Sequence, residues 1–181
     1  DQPDYYANNC YEMAECHLLL GTYDKALQLA DKALTVSPHN FDFMQTRGAA
    51  LLAMGKHDEA FQTFTDSVTH HYDHHQALLL TGLRYLNAGE PEAASKFFLR
   101  VLAEDNPPPH AYAYLTYTYF QMSDTVKFLA SLRKSVEVCP EILRDIMGQN
   151  FPGIEPQDYY THIVGILSRN QTSDSEEEGG E

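Results

Sequence analysis

Gly21, Gly55 and Gly89 stand 34 residues apart, and Ser123 holds the fourth place in the same register. The same shift aligns Ala26, Ala60, Ala94 and Phe128, then Ala30, Phe64, Phe98 and Leu132, then Ala33, Ser67, Val101 and Ser135. Upstream it aligns Ala14, Gly48, Gly82 and Thr116, and no insertion interrupts the four copies. A fixed period of this length constrains the chain to a stack of like units, each too small to bury its own apolar face.

The pattern inside each unit is that of a helix hairpin. In the second unit, Phe41 to Met54 is predicted as a first helix, with Met44, Leu51 and Leu52 apolar. Gly55 can adopt the left-handed conformation that ends it. Asp58 then sits at an N-cap or first-turn position, and Ala60, Phe61, Phe64 and Val68 mark the apolar face of a second helix. Gly48 and Ala60 let the two backbones approach. The third unit repeats the scheme with Gly82, Gly89, Pro91 at a helix start, Ala94, Phe97 and Phe98. Pro38, the run Pro107-Pro108-Pro109 and Pro140 stop the second helices. Helices of about 13 residues are marginal alone in water, so each is expected to depend on its neighbours.

The stretch Gly21-Thr-Tyr23-Asp-Lys-Ala26, followed by Ala33 and Pro38, resembles the loop and second helix of the tetratricopeptide repeat (TPR) family. Gly55-Lys-His57-Asp-Glu-Ala60 and Gly89-Glu-Pro91-Glu-Ala-Ala94 carry the same signature. The resemblance runs over about residues 7–142. It implies an all-α fold, a right-handed superhelical solenoid of about four TPR hairpins plus a C-terminal capping helix. The expected repeats are 7–40, 41–74, 75–108 and 109–142, followed by a capping-helix region over 143–170 and a disordered acidic tail over 171–181. Beyond the last repeat a short helix is expected over Glu141 to Met147, then a break at Phe151-Pro152-Gly153-Ile154, then a helix from Pro156 to about Ser168 that reads as a cap, with folding back into the groove as the alternative. Repeat one departs from the family pattern with Cys10 for an aromatic residue and Ala14 for glycine. Repeat four departs with Phe128 for a small residue, which is expected to splay or shift its helices.

The resemblance also implies where binding residues lie, because the first helices of such repeats line a concave groove. The candidates are Tyr11, Glu15, Gln45, Ala49, Leu52, Leu79, Leu83, Leu86, Tyr114, Tyr117 and Gln121. That wall is apolar and aromatic with acids at its rim, which suits a hydrophobic helix or extended segment carrying some basic residues. Family members that grip a C-terminal carboxylate do so with Lys, Arg and Asn, whereas Tyr11 and Glu15 occupy the leading places here.

The charge balance narrows the partners further. With 26 acidic and 12 basic residues the net charge is -14, which repels phosphates; nucleic acid and anionic membrane are not expected partners. No run approaches the apolar length needed to span a bilayer. Cys10, Cys16 and Cys139 have no redox or metal-ligand spacing and read as buried free thiols. His70-His71-Tyr72-Asp73-His74-His75 falls at a repeat boundary, where a turn separates the two pairs, so it reads as a solvated turn rather than a metal site. No nucleophile–base pair, phosphate loop or paired-carboxylate site is evident, and neither enzyme activity nor a cofactor is expected.

The expected role is a protein–protein interaction scaffold. A structural spacer or self-associating homo-oligomeric segment of a larger protein, and a secretion-type chaperone, are the alternatives. The chain starts without Met, which reads as a processed chain or a segment of something longer; a soluble chain is expected, cytoplasmic before any other compartment.

Overall fold

The computed structural model describes residues 2–71 and 73–165. Those residues form helices and turns, with no strand among them. In chain order the helices are α1 (Gln2–Leu19), α2 (Tyr23–Val36), α3 (Phe41–Ala53), α4 (His57–Thr69), α5 (His74–Asn87), α6 (Pro91–Leu102), α7 (His110–Gln121), α8 (Thr125–Val138) and α9 (Pro140–Met147). A tenth helix, α10, starts at residue 156 and is described to residue 165. The chain divides into two compact units, Asp1–Phe97 and Phe98–Glu181. The tail expected over 171–181, and the end of the capping helix beyond 165, lie outside the described residues.

The recurrent glycine closes each first helix for a stereochemical reason. Gly21, Gly55 and Gly89 have φ of 70°, 76° and 77°, and Ser123 follows them at 56°. A Cβ at Gly55 or Gly89 would meet nothing within 4 Å, so the backbone angle rather than space selects glycine there. In each turn the residue after this position donates its N–H back across the helix end. Thr22 reaches the His17 carbonyl at 2.9 Å, Lys56 reaches Leu51 at 2.9 Å, Glu90 reaches Tyr85 at 3.0 Å and Asp124 reaches Tyr119 at 3.1 Å. Each turn thus satisfies carbonyls that the helix end would otherwise strand, in the Schellman pattern.

The starts of α3, α5 and α8 are fixed by short polar side chains. Asn40 accepts from the Phe43 N–H at 3.1 Å, Asp73 from Gln76 at 3.0 Å and Asp124 from Lys127 at 3.1 Å. The two histidine pairs fall on either side of a helix break: α4 ends at Thr69, Asp73 caps, and α5 begins at His74. His39 stacks on His70 with centroids 4.2 Å apart, and Phe41 packs against His71 at 4.3 Å.

In the first unit α1 packs on α2, α2 on α3, α3 on α4 and α4 on α5. Ala7, Cys10, Ala33 and Phe43 form one buried cluster, with Tyr11 and Leu29 packed against it. The thiols expected to be buried are so at Cys10 and Cys139 but not at Cys16, which is exposed on the same face of α1 as Met13. Between α3 and α4 the contact is tight: a Cβ added to Gly48 would lie 2.6 Å from the ring of Phe64, which is fully buried. Phe64 in turn meets Tyr85 edge-on at 5.1 Å.

In the second unit α7 packs on α8 and α9. Phe128 stands where repeats one to three have alanine, and it is buried against Phe120 at 5.6 Å. Phe120 meets Phe151 at 5.9 Å, and Phe151 meets the fully buried Tyr159 of α10 at 4.7 Å. The terminal helix therefore joins the core of this unit through its own aromatic side chain.

Candidate functional site

The first unit contains a hollow of about 590 Å³. Its walls come from the C-terminal halves of three first helices: Glu15, Leu18 and Leu19 of α1, Ala49, Leu52 and Ala53 of α3, and Arg84 and Asn87 of α5. Tyr23, Ala88 and Glu90 complete it from the turns and from α2. These residues come together because the repeat period places equivalent turns of α1, α3 and α5 side by side. Apolar and polar surface line it in nearly equal measure, with three charged side chains among the lining residues.

Two of those charges are already engaged. Glu15 accepts a hydrogen bond from the Thr46 hydroxyl and faces Arg84 at 3.6 Å, with both side chains about a third exposed. A pair so open to water contributes little to stability but fixes where the guanidinium lies. Glu90 lies 3.5 Å from the His57 ring nitrogen, a partner that is cationic only when protonated. The hollow thus presents more negative than positive charge at its mouth.

Of the eight candidates in this unit, Glu15, Ala49 and Leu52 line the hollow. Tyr11 lies partly buried with its ring 5.4 Å from Phe43, and burial, followed by the charge of Glu15, pushes its phenol up. Gln45 is buried and donates to the Ser67 hydroxyl at 2.8 Å and the Thr81 hydroxyl at 2.9 Å, tying α3 to α4 and α5. Leu79 is also buried, while Leu83 and Leu86 are partly exposed and lie outside the lining. Leu18, Leu19, Arg84 and Asn87 were not among the candidates. Shifting Leu52 and Ala53 by 34 residues in either direction points to Leu18, Leu19, Leu86 and Asn87, so the repeat carried a signal for three of the lining positions.

The three candidates of the second unit all sit on α7. Tyr114 stacks on Phe98 at 5.8 Å, and Gln121 donates to the Tyr117 hydroxyl at 2.6 Å. A separate apolar hollow of about 300 Å³ in this unit is lined by Tyr119, Phe120, Phe128, Phe151 and Ile163, among others. Among the described residues no group of three or more His, Cys, Asp or Glu side chains is gathered for a metal ion. Among them, too, no helix is long and apolar enough to cross a membrane.

Two family models described as tetratricopeptide repeat match residues 7–40 and 46–109. The BBSome complex member BBS4 of Bos taurus is 28% identical over 98 residues, which is 54% of this chain and 19% of that protein. The matched stretch is thus about a fifth of that relative's length. Among solved structures, the thermophilic TPR protein TTC0263 of Thermus thermophilus superposes with a TM-score of 0.56 at 21% identity, covering 79% of this chain and 78% of the other. MamA 41-end from Desulfovibrio magneticus RS-1 gives a TM-score of 0.53 at 18% identity, covering 92% of this chain and 97% of that one. The chain belongs to the tetratricopeptide repeat family. Its all-helical fold is the fold of TPR solenoid proteins, a scaffold for protein–protein interaction.

Proposed function

We propose that the chain holds an apolar segment of a partner protein, helical or extended and carrying a basic residue, in the hollow of the first unit, and that it acts by binding rather than by catalysis. The observation that carries this reading is the hollow itself: a concave space of about 590 Å³ on three consecutive first helices, lined by apolar and charged side chains together. Leu18, Leu52 and the Tyr23 ring would supply desolvated contact. Glu90 and the second carboxylate oxygen of Glu15 would attract a lysine or arginine at the rim. Arg84, already held by Glu15, would orient rather than dominate.

The test is a fluorescence-anisotropy titration with a labelled apolar–basic peptide selected by display on the wild-type chain. Ala53→Trp adds bulk from an exposed helical position at the lining, so folding should be retained, as checked by helical circular dichroism. Affinity should fall at least about tenfold, the worth of about one lost apolar side-chain contact. Equal affinity for the variant would remove the hollow as the binding surface.

A further inference from the structure

The hollow of the first unit has two unlike walls. To one, α1 and α3 give Leu18, Leu19, Ala49, Leu52 and Ala53, side chains that offer nothing to a hydrogen bond. To the other, α5 gives Arg84 and Asn87, three residues apart and so on one face of the helix. In both places the third repeat departs from the first two. Asn87 stands where they have Ala53 and Leu19, and Arg84 where they have Ala50 and Cys16.

What Arg84 lacks is hydrogen-bond acceptors rather than a counter-charge. Glu15 supplies the charge at 3.6 Å, a separation beyond hydrogen-bond reach. It is not free to close that gap, because the fully buried Thr46 donates its hydroxyl to the same carboxylate oxygen that faces Arg84. Among the described residues Arg84 donates no hydrogen bond, and the side-chain amide of Asn87 makes none. Arg47, by contrast, donates to Asp31 at 2.8 Å and to Thr63 at 2.6 Å. While the hollow is open, water satisfies these groups. A segment that covers the hollow expels that water and must bring acceptors of its own, since a buried donor left unmade is costly.

We propose that the segment held in the hollow is extended rather than helical, and that Arg84 and Asn87 bind its main chain; this rests on the hollow being the binding surface. An extended chain sends alternate side chains to opposite faces and carries its carbonyls and N–H groups along its edges. One such edge meets α5 while side chains meet the apolar wall of α1 and α3. A helix has no such edge, because its main-chain groups are bonded internally except in the terminal turns. The asparagine amide matches a peptide unit, donating to the carbonyl and accepting from the N–H, and the guanidinium adds donors for further carbonyls. Contacts of this kind are blind to side-chain sequence, so selectivity falls to the apolar wall and to Glu90.

The test uses the peptide selected by display on the wild-type chain, made with isotope labels for NMR. When bound, its Cα chemical shifts should lie on the extended side of random coil; helical shifts would overturn the proposal. An ester scan then replaces its peptide bonds one at a time, which removes an N–H and weakens the adjoining carbonyl as an acceptor. At one position or more the ester should cost about tenfold in affinity, the worth of a hydrogen bond to a polar or charged side chain. Against Arg84→Leu combined with Asn87→Ala that loss should shrink to about twofold or less, with circular dichroism confirming that the double variant is folded. A flat ester scan, or ester losses as large against the double variant as against wild type, would also overturn the proposal. Ala53→Trp keeps the two readings apart. A peptide indifferent to that variant removes the hollow itself, whereas one weakened by it, yet helical or indifferent to esters, removes only the main-chain reading.

Discussion

Repeats two and four end their first helices with the same hydrogen-bonded turn, but they fill the space between their helices by opposite means. In repeat two the close approach is glycine against a large ring, Gly48 beneath Phe64. In repeat four the same two positions hold Thr116 and Leu132, both fully buried. The added hydroxyl is satisfied, since Thr116 donates to the Tyr112 carbonyl at 2.9 Å and stands 2.7 Å from the Ser135 hydroxyl. Five residues past the turn the exchange reverses: Ala60 is the small residue in repeat two, and Phe128 the large one in repeat four. The difference teaches that the turn geometry is the invariant of this chain, while volume is traded between paired positions. Close packing makes the pair, and not the single residue, the unit whose volume is held in sum.

Transplanting one pair into the other repeat gives the largest expected effect. Gly48→Thr alone forces atoms against a ring that has nowhere to move and should cost about 2–3 kcal/mol of stability. Adding Phe64→Leu should recover about 1 kcal/mol or more, a coupling readable from chemical denaturation of the two single variants and the double. Strict additivity would mean that the two positions do not share one volume.

A smaller effect is expected at the turn that departs from the glycine rule. Ser123 holds φ of 56°, a strained angle for a residue with a Cβ. Ser123→Gly should therefore raise stability by about 0.5–1 kcal/mol, seen as a higher midpoint of thermal unfolding. A lowered midpoint would show that the serine hydroxyl matters more than the angle.

The smallest effect compares the two buried phenols. Tyr85 of the first unit and Tyr159 of the second have hydroxyls that find no hydrogen-bond partner among the described residues. Burial, then the charge of Glu90, pushes the Tyr85 phenol from 10.0 up to about 12. The folded state therefore keeps its proton while the unfolded chain loses it above pH 10, so stability is full below that point and falls between pH 10 and about 12. Tyr85→Phe should change stability at neutral pH by no more than about 0.5 kcal/mol and should flatten that alkaline decline. A neutral-pH loss well beyond this would reveal a partner for the hydroxyl.

The period exposed most of the fold, because a left-handed turn and a close helix crossing each demand a residue type that recurs at a fixed distance. The hollow was less legible. Gln45 occupies the place of Tyr11 and Leu79, and a glutamine between such neighbours reads as a polar residue facing a groove. It is buried instead, because Ser67 and Thr81 supply acceptors for its amide from two other helices, a pairing that no local pattern announces. Arg84 escaped notice for a related reason: its equivalent positions hold Cys16 and Ala50, so nothing in the period marks a charge there. Its place in the hollow follows from Glu15, which a shift of two repeats carries onto the adjacent Leu83.

The amide of Gln45 has a mechanical consequence. One side chain with two donated bonds spans three helices, so α3 cannot slide or rotate past α4 or α5 without surrendering both at once. Such a pin indexes the helices as a key indexes a shaft. Amide hydrogens of α3, α4 and α5 should then exchange with solvent water as a single opening event, at a common rate, rather than fraying helix by helix.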